Sequence, residues 1–204
     1  MSADITLLAE APLPTRHGEF RTVVFASPDD PTREHVALVR GNVAGDHVLA
    51  RVHSECLTGE ILGSLKCDCA PQLERALELI ARAERGVLVY LRQEGRGIGL
   101  ANKVRAYALQ ARGFDTVDAN LALSLPEDAR RYDAAAALLR TLGVGGIRLL
   151  TNNPDKVRAL EALGVAVRER LPHVVDAHPL SHAYLETKRR RMQHLLPLIS
   201  GDVS

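Results

Sequence analysis

From Pro71 to Arg170 the chain alternates between two hydrophobic periods, and this alternation restricts the fold more than any other feature. "PQLERALELIARAER" (71–85) puts apolar residues at 73, 76, 77, 80 and 81, a helical spacing with Pro71 suited to the first turn. "GVLVYLR" (86–92) is a short buried strand. "ANKVRAYALQARG" (101–113) reads as a helix stopped by Gly113, and "LPEDARRYDAAAALLRTLG" (125–143) as another ending at Gly143. "GIRLLTN" (146–152) is a strand, "NPDKVRALEALG" (153–164) a helix with Asn153 as its N-cap, and "VAVRER" (165–170) a last strand. Strands separated by helices need crossover connections, so these strands run parallel. Ahead of them, 20–26, 35–40 and 47–53 read as strands, the first two divided by the turn-rich "SPDDPTRE". The expected fold is mixed α/β (α+β), a β-rich N-terminal part followed by βα crossover units. No linker or repeat interrupts it, which predicts a single compact domain over 1–204.

Composition matters mainly for the cysteines. A 204-residue chain buries roughly 70% of the surface its unfolded form exposes, so it needs no disulfide staples. The N-terminus carries no basic region followed by an apolar run, and no apolar stretch reaches the length of a membrane span. A cytoplasmic location follows, where thiols stay reduced. The net charge of +1 gives no drive toward nucleic acid or acidic membranes, and 3% aromatics without Trp offers few stacking platforms. Neither nucleic acid nor membrane is expected as a partner.

All three cysteines, Cys56, Cys67 and Cys69, fall in "HSECLTGEILGSLKCDC" (53–69). Lone cysteines are ordinarily small core residues. Cys67 and Cys69 resist that reading, because they flank the charged Asp68 just before a helix whose positive end favours thiolate. Clustered thiolates in a reducing compartment point to a metal, and sulfur favours zinc. Three protein ligands rather than four point to a site with one position open. "HSE" (53–55) also matches the His-x-Glu of zinc nucleobase deaminases, but the Pro-Cys-x-x-Cys that class requires is missing. His53 reads equally as a hydrogen-bonding residue at a strand end.

Two strand-to-helix junctions are candidates for an anionic ligand. "LRQEGRGIGL" (91–100) has glycines at 95, 97 and 99, with Arg92, Arg96, Lys103 and Arg105 around it. Glycines allow close approach of backbone N–H groups and a helix start adds positive charge, although a plain tight turn fits as well. "RLLTNNPDK" (148–156) offers Thr151, Asn152, Asn153 and Lys156, and its bland alternative is an Asn cap with a solvated lysine. In parallel sheets ligands gather at the carboxyl ends of strands, where two such junctions can meet.

Together, "RVHSECLTGEILGSLKCDC", "LRQEGRGIGLANKVRAYALQ", "GFDTVDAN" and "RLLTNNPDKV" closely resemble GTP cyclohydrolase II, the first enzyme of riboflavin synthesis, over about residues 12–195, with flexible termini outside that core. The resemblance implies a hydrolase that opens the guanine imidazole ring of GTP, releases formate and cleaves pyrophosphate. It implies zinc on Cys56, Cys67 and Cys69, magnesium with the phosphates, and a homodimer. Nucleotide binding would fall to Arg51, Val52, His53, Ser54, Glu55, Gln72, Glu94, Gly95, Arg96, Thr116, Thr151 and Lys156.

The family's acid/base aspartate and the arginine proposed to attack the α-phosphate correspond to Asp128 and Arg130, and its tyrosine near the opened ring to Tyr107. By residue pattern alone Asp128 is a first-turn helix charge, Arg130 a solvated face and Tyr107 core packing. Lys66 and Ala70 depart from the Arg and Gly common in the family. The dihydroxybutanone-phosphate synthase domain fused to some relatives has no counterpart, which implies a single activity. The rival reading is a catalytically inactive GTP-binding regulatory or assembly protein of the same fold. The basic run "KRRRMQH" (188–194) reads as one solvated helix face.

Overall fold

A computed structural model describes residues 5–176 and 178–197. The ends expected to be flexible lie partly outside these. One seven-stranded sheet carries the chain: β1 (Thr6–Thr15), β2 (Gly18–Ser27), β3 (Asp30–Arg40), β4 (Val48–Ser54), β5 (Gly86–Leu91), β6 (Ile147–Leu150) and β7 (Val167–Leu171), in spatial order β1-β2-β3-β5-β4-β6-β7. The pairs from β1 to β5 are antiparallel, and β5, β4, β6 and β7 run parallel. The β-rich front and the parallel crossover half are therefore present, joined into one continuous sheet.

The strand β1 has no counterpart in the sequence reading. Every residue from Thr6 to Pro14 is exposed, so no alternation marks it. Pro12 and Pro14 lie within it, which an edge strand tolerates.

Strand alternation decides what lies on each side of the sheet. Val48, Ala50 and Val52 of β4 join Val87, Val89 and Leu91 of β5 in the larger core. Helices α5 (Asp133–Thr141) and α6 (Pro154–Ala162) close that face. The run Ala134–Ala137 lets α5 lie close to the sheet, and Leu138 and Leu139, fully buried, contribute about 1.5–3 kcal/mol each. On the opposite face Leu49 and Leu88 pack with Phe20, Ala76 and Ile80 under α2 (Cys69–Arg82). Arg51 and His53 follow Leu49 on this second face, toward the carboxyl end of β4.

The helix expected over 125–143 is shorter, because α5 begins at Asp133. Residues 126–132 are instead held as a loop by tertiary bonds. The Asp128 carboxylate accepts from the Arg130 backbone N–H at 3.0 Å, Ala129 N donates to Arg96 O at 2.9 Å, and Arg131 N donates to Gln93 Oε1 at 3.0 Å. An aspartate that bonds its own backbone two residues on competes with the helix. Asp128 is thus no first-turn helix residue. Arg130, with 13% of its side chain exposed, is no solvated face.

The glycine-rich stretch after β5 makes room for this loop. Gly97 has φ +88°, and a Cβ there would sit 2.6 Å from Ala129 O. Gly97→Ala should cost about 1–3 kcal/mol through backbone strain and the clash. The expected outcome is a lower urea midpoint at unchanged m-value, together with faster proteolysis at Arg130 and Arg131. A midpoint equal to the parent's would show that the loop does not depend on this approach.

Candidate functional site

One solvent-open cleft lies at the carboxyl ends of β4, β5 and β6. It holds the three cysteines. Cys56 ends the segment after β4, and a short helix, α1 (Leu57–Glu60), follows it. Cys67 precedes α2, which Cys69 opens. The Cys56 and Cys67 sulfurs are 3.7 Å apart, and all three lie within 4.8 Å of one another. That is far beyond the roughly 2.05 Å of a disulfide and suits three ligands converging on one ion. Gly59 leaves space beside them, since a Cβ there would lie 2.8 Å from Cys67 Sγ and 3.3 Å from Cys56 Sγ.

The charge state of the cluster agrees with this. Hydrogen bonds from Cys67 and Cys69, with Lys103 adding its charge, hold the Cys56 thiol well below its ordinary range. Cys67 and Cys69 are raised, first by their bonds to Cys56. Three thiolates this close need a cation to coexist.

Around the cluster the side chains are tied tightly. Lys103, in α3 (Leu100–Gln110), donates to Cys56 Sγ at 3.1 Å and to Glu94 Oε1 at 2.7 Å. Glu94 also accepts from Leu57 N at 2.6 Å and Gly95 N at 2.7 Å. Beneath them is a buried triad the sequence reading does not reach. His53 Nε2 lies 2.7 Å from Glu60 Oε1, Tyr90 OH donates to Glu60 Oε2 at 2.5 Å, and the two rings stack at 5.7 Å. Paired in register on β4 and β5, they anchor α1 and so Cys56. Burial lowers the His53 pKa, so its ring is neutral. His53 is therefore bonded at a strand end, and it also lines the cleft.

The same cleft is lined by cations. Arg51 donates to Leu150 O at 2.8 Å and to Gln72 Oε1 at 2.6 Å, and burial pulls its guanidinium down to about 10. Lys156, 4% exposed, donates to Val52 O at 2.7 Å. Burial, then Arg51 and Arg130, push its pKa well down. Arg130 is gripped by both oxygens of Asp128, with Nε at 2.9 and 3.0 Å. Burial opposes its charge but Asp128 more than offsets this, so the guanidinium is held above its ordinary value. Arg96, at φ +59°, has Nη1 and Nη2 buried without a hydrogen-bond partner among the described residues. It lies over the Tyr184 ring at 5.5 Å. Unpaired buried guanidinium nitrogens beside other cations suit a polyanion.

The glycines work differently from the sequence expectation. The N–H groups of Gly95, Gly97 and Gly99 are all used inside the loop, bonding Glu94 Oε1, Gln93 O and Glu94 O respectively. The loop therefore presents the Arg96 side chain rather than a backbone cradle. Of the other expected residues, Ser54, Glu55, Gln72, Gly95, Thr151 and Tyr107 line the cleft. Ser54 accepts from Gln93 Nε2 at 2.9 Å, and Tyr107 OH is 3.3 Å from Thr58 Oγ1. Lys66 sits over the Tyr107 ring at 4.9 Å. Val52 contributes its carbonyl, behind the cleft wall, and Asp128 acts through Arg130. Thr116 opens α4 (Thr116–Ala122), and its side chain is not among the described residues. Arg105 is exposed and bonds Asn102 at 2.6 Å, away from the lining.

The basic run near the C-terminus also corrects the expectation. In α7 (His182–Arg191), Lys188 is buried and donates to Asp68 Oδ1 at 2.8 Å. Asp68 also accepts from Gln72 Nε2. Burial raises the Asp68 pKa, but Lys188 and Gln72 outweigh it and keep the carboxylate ionised. Tyr184, Lys188 and Met192 recur at helical spacing and all line the cleft, a pattern that would have marked this face.

The model of the family described as GTP cyclohydrolase II matches residues 6–172. "GTP cyclohydrolase-2" of Acinetobacter baumannii (strain SDF) is 55% identical over 193 residues, 94% of this chain and 96% of that protein. "Riboflavin biosynthesis protein RibBA" of Salinispora tropica is also 55% identical, over 94% of this chain but 48% of its own length. A solved two-domain 3,4-dihydroxy-2-butanone 4-phosphate synthase from A. baumannii aligns with TM-score 0.47 at 21% identity, over 85% of this chain and 41% of its own.

Lys156 gives a stability test. A buried ammonium without a carboxylate partner costs stability, so Lys156→Met should raise the melting temperature of the ligand-free protein at neutral pH. Its folded pKa lies below its unfolded one. The cost is thus complete below the folded value and fades as pH rises toward the ordinary lysine range. The gain from Lys156→Met should shrink over the same interval. A lower melting temperature at neutral pH would mean the ammonium stabilises the fold.

Proposed function

The chain belongs to the GTP cyclohydrolase II family, and on that footing we propose that it hydrolyses GTP in riboflavin biosynthesis. The reaction opens the guanine imidazole ring with release of formate and pyrophosphate. It leaves a diaminopyrimidinone that still carries the ribose phosphate. The observation that carries this reading is one cleft that holds both a three-thiol cluster and, among the described residues, unpartnered Arg96 nitrogens beside other cations. A base and a triphosphate need those two features. The enzyme acts in the cytoplasm as a homodimer, with magnesium accompanying the triphosphate.

Cys56, Cys67 and Cys69 would hold zinc. A tetrahedral set with zinc–sulfur bonds of about 2.3 Å has sulfurs roughly 3.8 Å apart, close to the 3.7 Å between Cys56 and Cys67. When bound, zinc supplies a Lewis acid that makes water nucleophilic near neutral pH. Lys103 keeps positive charge against the Cys56 sulfur, and Tyr107 stands beside the ring to be opened. Glu94 is consumed by its bonds to Lys103, Leu57 and Gly95. Glu55 makes a looser contact, to Arg92 at 4.0 Å. Burial, then nearby carboxylates, raise its pKa. Glu55 is thus the freer acceptor for the donor edge of guanine.

At the phosphate end Arg96 and Lys156 bind the chain of phosphates. Arg51 and Gln72 brace the floor, and Thr151 Oγ1 accepts from the N–H of Asn153, which caps the helix that carries Lys156. Arg130 acts at the α-phosphate as a fixed cation. A guanidine nucleophile would have to lose its proton, and the Asp128 grip works against that.

The direct test incubates purified protein with GTP and magnesium and assays formate and pyrophosphate together. Both should appear, in equal amounts. Absence of both from metal-replete protein would favour a GTP-binding protein without catalysis. Zinc analysis should give about one ion per chain, and the Cys67→Ser, Cys69→Ser double variant should lose it and stop making formate. Full zinc occupancy in that variant would place the ligands elsewhere.

Arg130→Ala should stop pyrophosphate release, whereas Arg130→Lys, which keeps charge without the planar fork, should retain much of it if charge is what matters. Pyrophosphate release at the parent rate in Arg130→Ala would remove Arg130 from the chemistry.

A further inference from the structure

The family match ends at residue 172, yet the cleft is walled by a later segment. Tyr184, Lys188, Met192 and His194 all face it. Several separate contacts dock this segment. Lys188 is tied to Asp68 at 2.8 Å, Arg191 reaches Asp115 and Asp118 at 2.5 and 2.9 Å, and Leu195 N donates to Asn152 O at 2.8 Å. Leu185 and Ser181 are buried beneath it.

After α7 the chain turns inward. Gln193 takes φ +53°, a backbone state a non-glycine residue adopts at a cost. That turn, with His194 N bonded to Lys188 O at 3.1 Å, brings the His194 ring back into the cleft. Its Nε2 is buried and has no hydrogen-bond partner among the described residues. Lys188, Arg130, Lys156 and Arg96 line the same cleft, and after burial they are the charges that lower the ring's pKa. A buried imidazole nitrogen left unpaired among cations is unfavourable alone, and the same arrangement is favourable around an anion.

We infer that His194 is a ligand of the substrate's phosphates, carried into the site by the C-terminal segment and donating from Nε2 to a phosphate oxygen beside Arg96. Burial and the neighbouring cations depress the ring's pKa to about 3, so it enters as the neutral imidazole and donates in the Nε2-protonated tautomer. Tyr184 supports the same end, its ring lying under Arg96 at 5.5 Å and under Lys188 at 4.4 Å. The inference rests on the nucleotide reading of the cleft and adds a residue to it.

The test titrates the metal-replete, full-length protein with inorganic triphosphate and, separately, with guanosine, by calorimetry. Neither probe carries the complete substrate, so turnover does not intrude. His194→Ala should weaken triphosphate binding about tenfold or more, the size of one hydrogen bond to a charged group, and leave guanosine affinity unchanged. His194→Gln, whose amide can still donate, should bind triphosphate within about threefold of the parent. It also carries the test if the alanine variant fails to fold.

Triphosphate affinity unchanged in His194→Ala would overturn the inference while leaving the nucleotide reading intact. Equal losses for triphosphate and guanosine, or a His194→Gln variant as weak as alanine, would also overturn it, making His194 a packing residue. If the parent protein bound neither probe, the nucleotide reading itself would fall, and this inference with it.

Discussion

Too many cations in too little water is the condition the rest of this structure answers. Arg51, Arg96, Arg130, Lys156 and Lys188 all line one cleft, and removing charges from water is costly unless each finds a partner. Two carboxylates are spent on this, Asp128 on Arg130 and Asp68 on Lys188. The remainder is handled with dipoles and ring faces. Arg51 takes a carbonyl and an amide oxygen, Lys156 takes the Val52 carbonyl and lies over Tyr132, and Arg96 has the Tyr184 ring. The residual imbalance is the free energy a polyanion gains on entering.

The scaffold makes that imbalance sustainable because it is rigid where the charges are rooted. β4 has parallel neighbours on both sides, and its alternation puts Val52 into the core while Arg51 and His53 face α2. A slip of one residue in its register would exchange the two sets and bury the arginine in hydrocarbon. The apolar face therefore specifies the position of the polar one.

Much of this could be read from the chain. The βα alternation is a local signal, and it located the parallel strands, and the helices α2, α3 and α6, to within a few residues. The cysteine triplet was legible because thiols beside an aspartate make little sense as core. What escaped was decided by contacts distant in sequence. The helix pattern over 125–132 was overridden by Gln93 and Arg96, more than thirty residues away. Glu60 carries no mark in the sequence, and only His53 and Tyr90, meeting it from two strands, give it a role. Lys188 sat in a run of arginines whose neighbours point to solvent, and its partner Asp68 lies at the other end of the chain. No periodicity reveals a buried ion pair whose halves are 120 residues apart. The glycines were visible, but the pattern left a ligand-binding turn and a plain tight turn open, and the neighbour that decides it at Gly97 is a peptide of the protein's own loop.

Asp68 stands between Cys67 and Cys69 in the chain and holds Lys188 of α7 through its side chain. The thiol cluster and the C-terminal wall are thereby two ends of a single lever. Free energies around such a lever are reciprocal: whatever order the turn gains from an ion it lends to the wall, and whatever the wall gains from a polyanion returns to the turn. An ion held by the turn and a polyanion held by the wall would then favour one another through this pair.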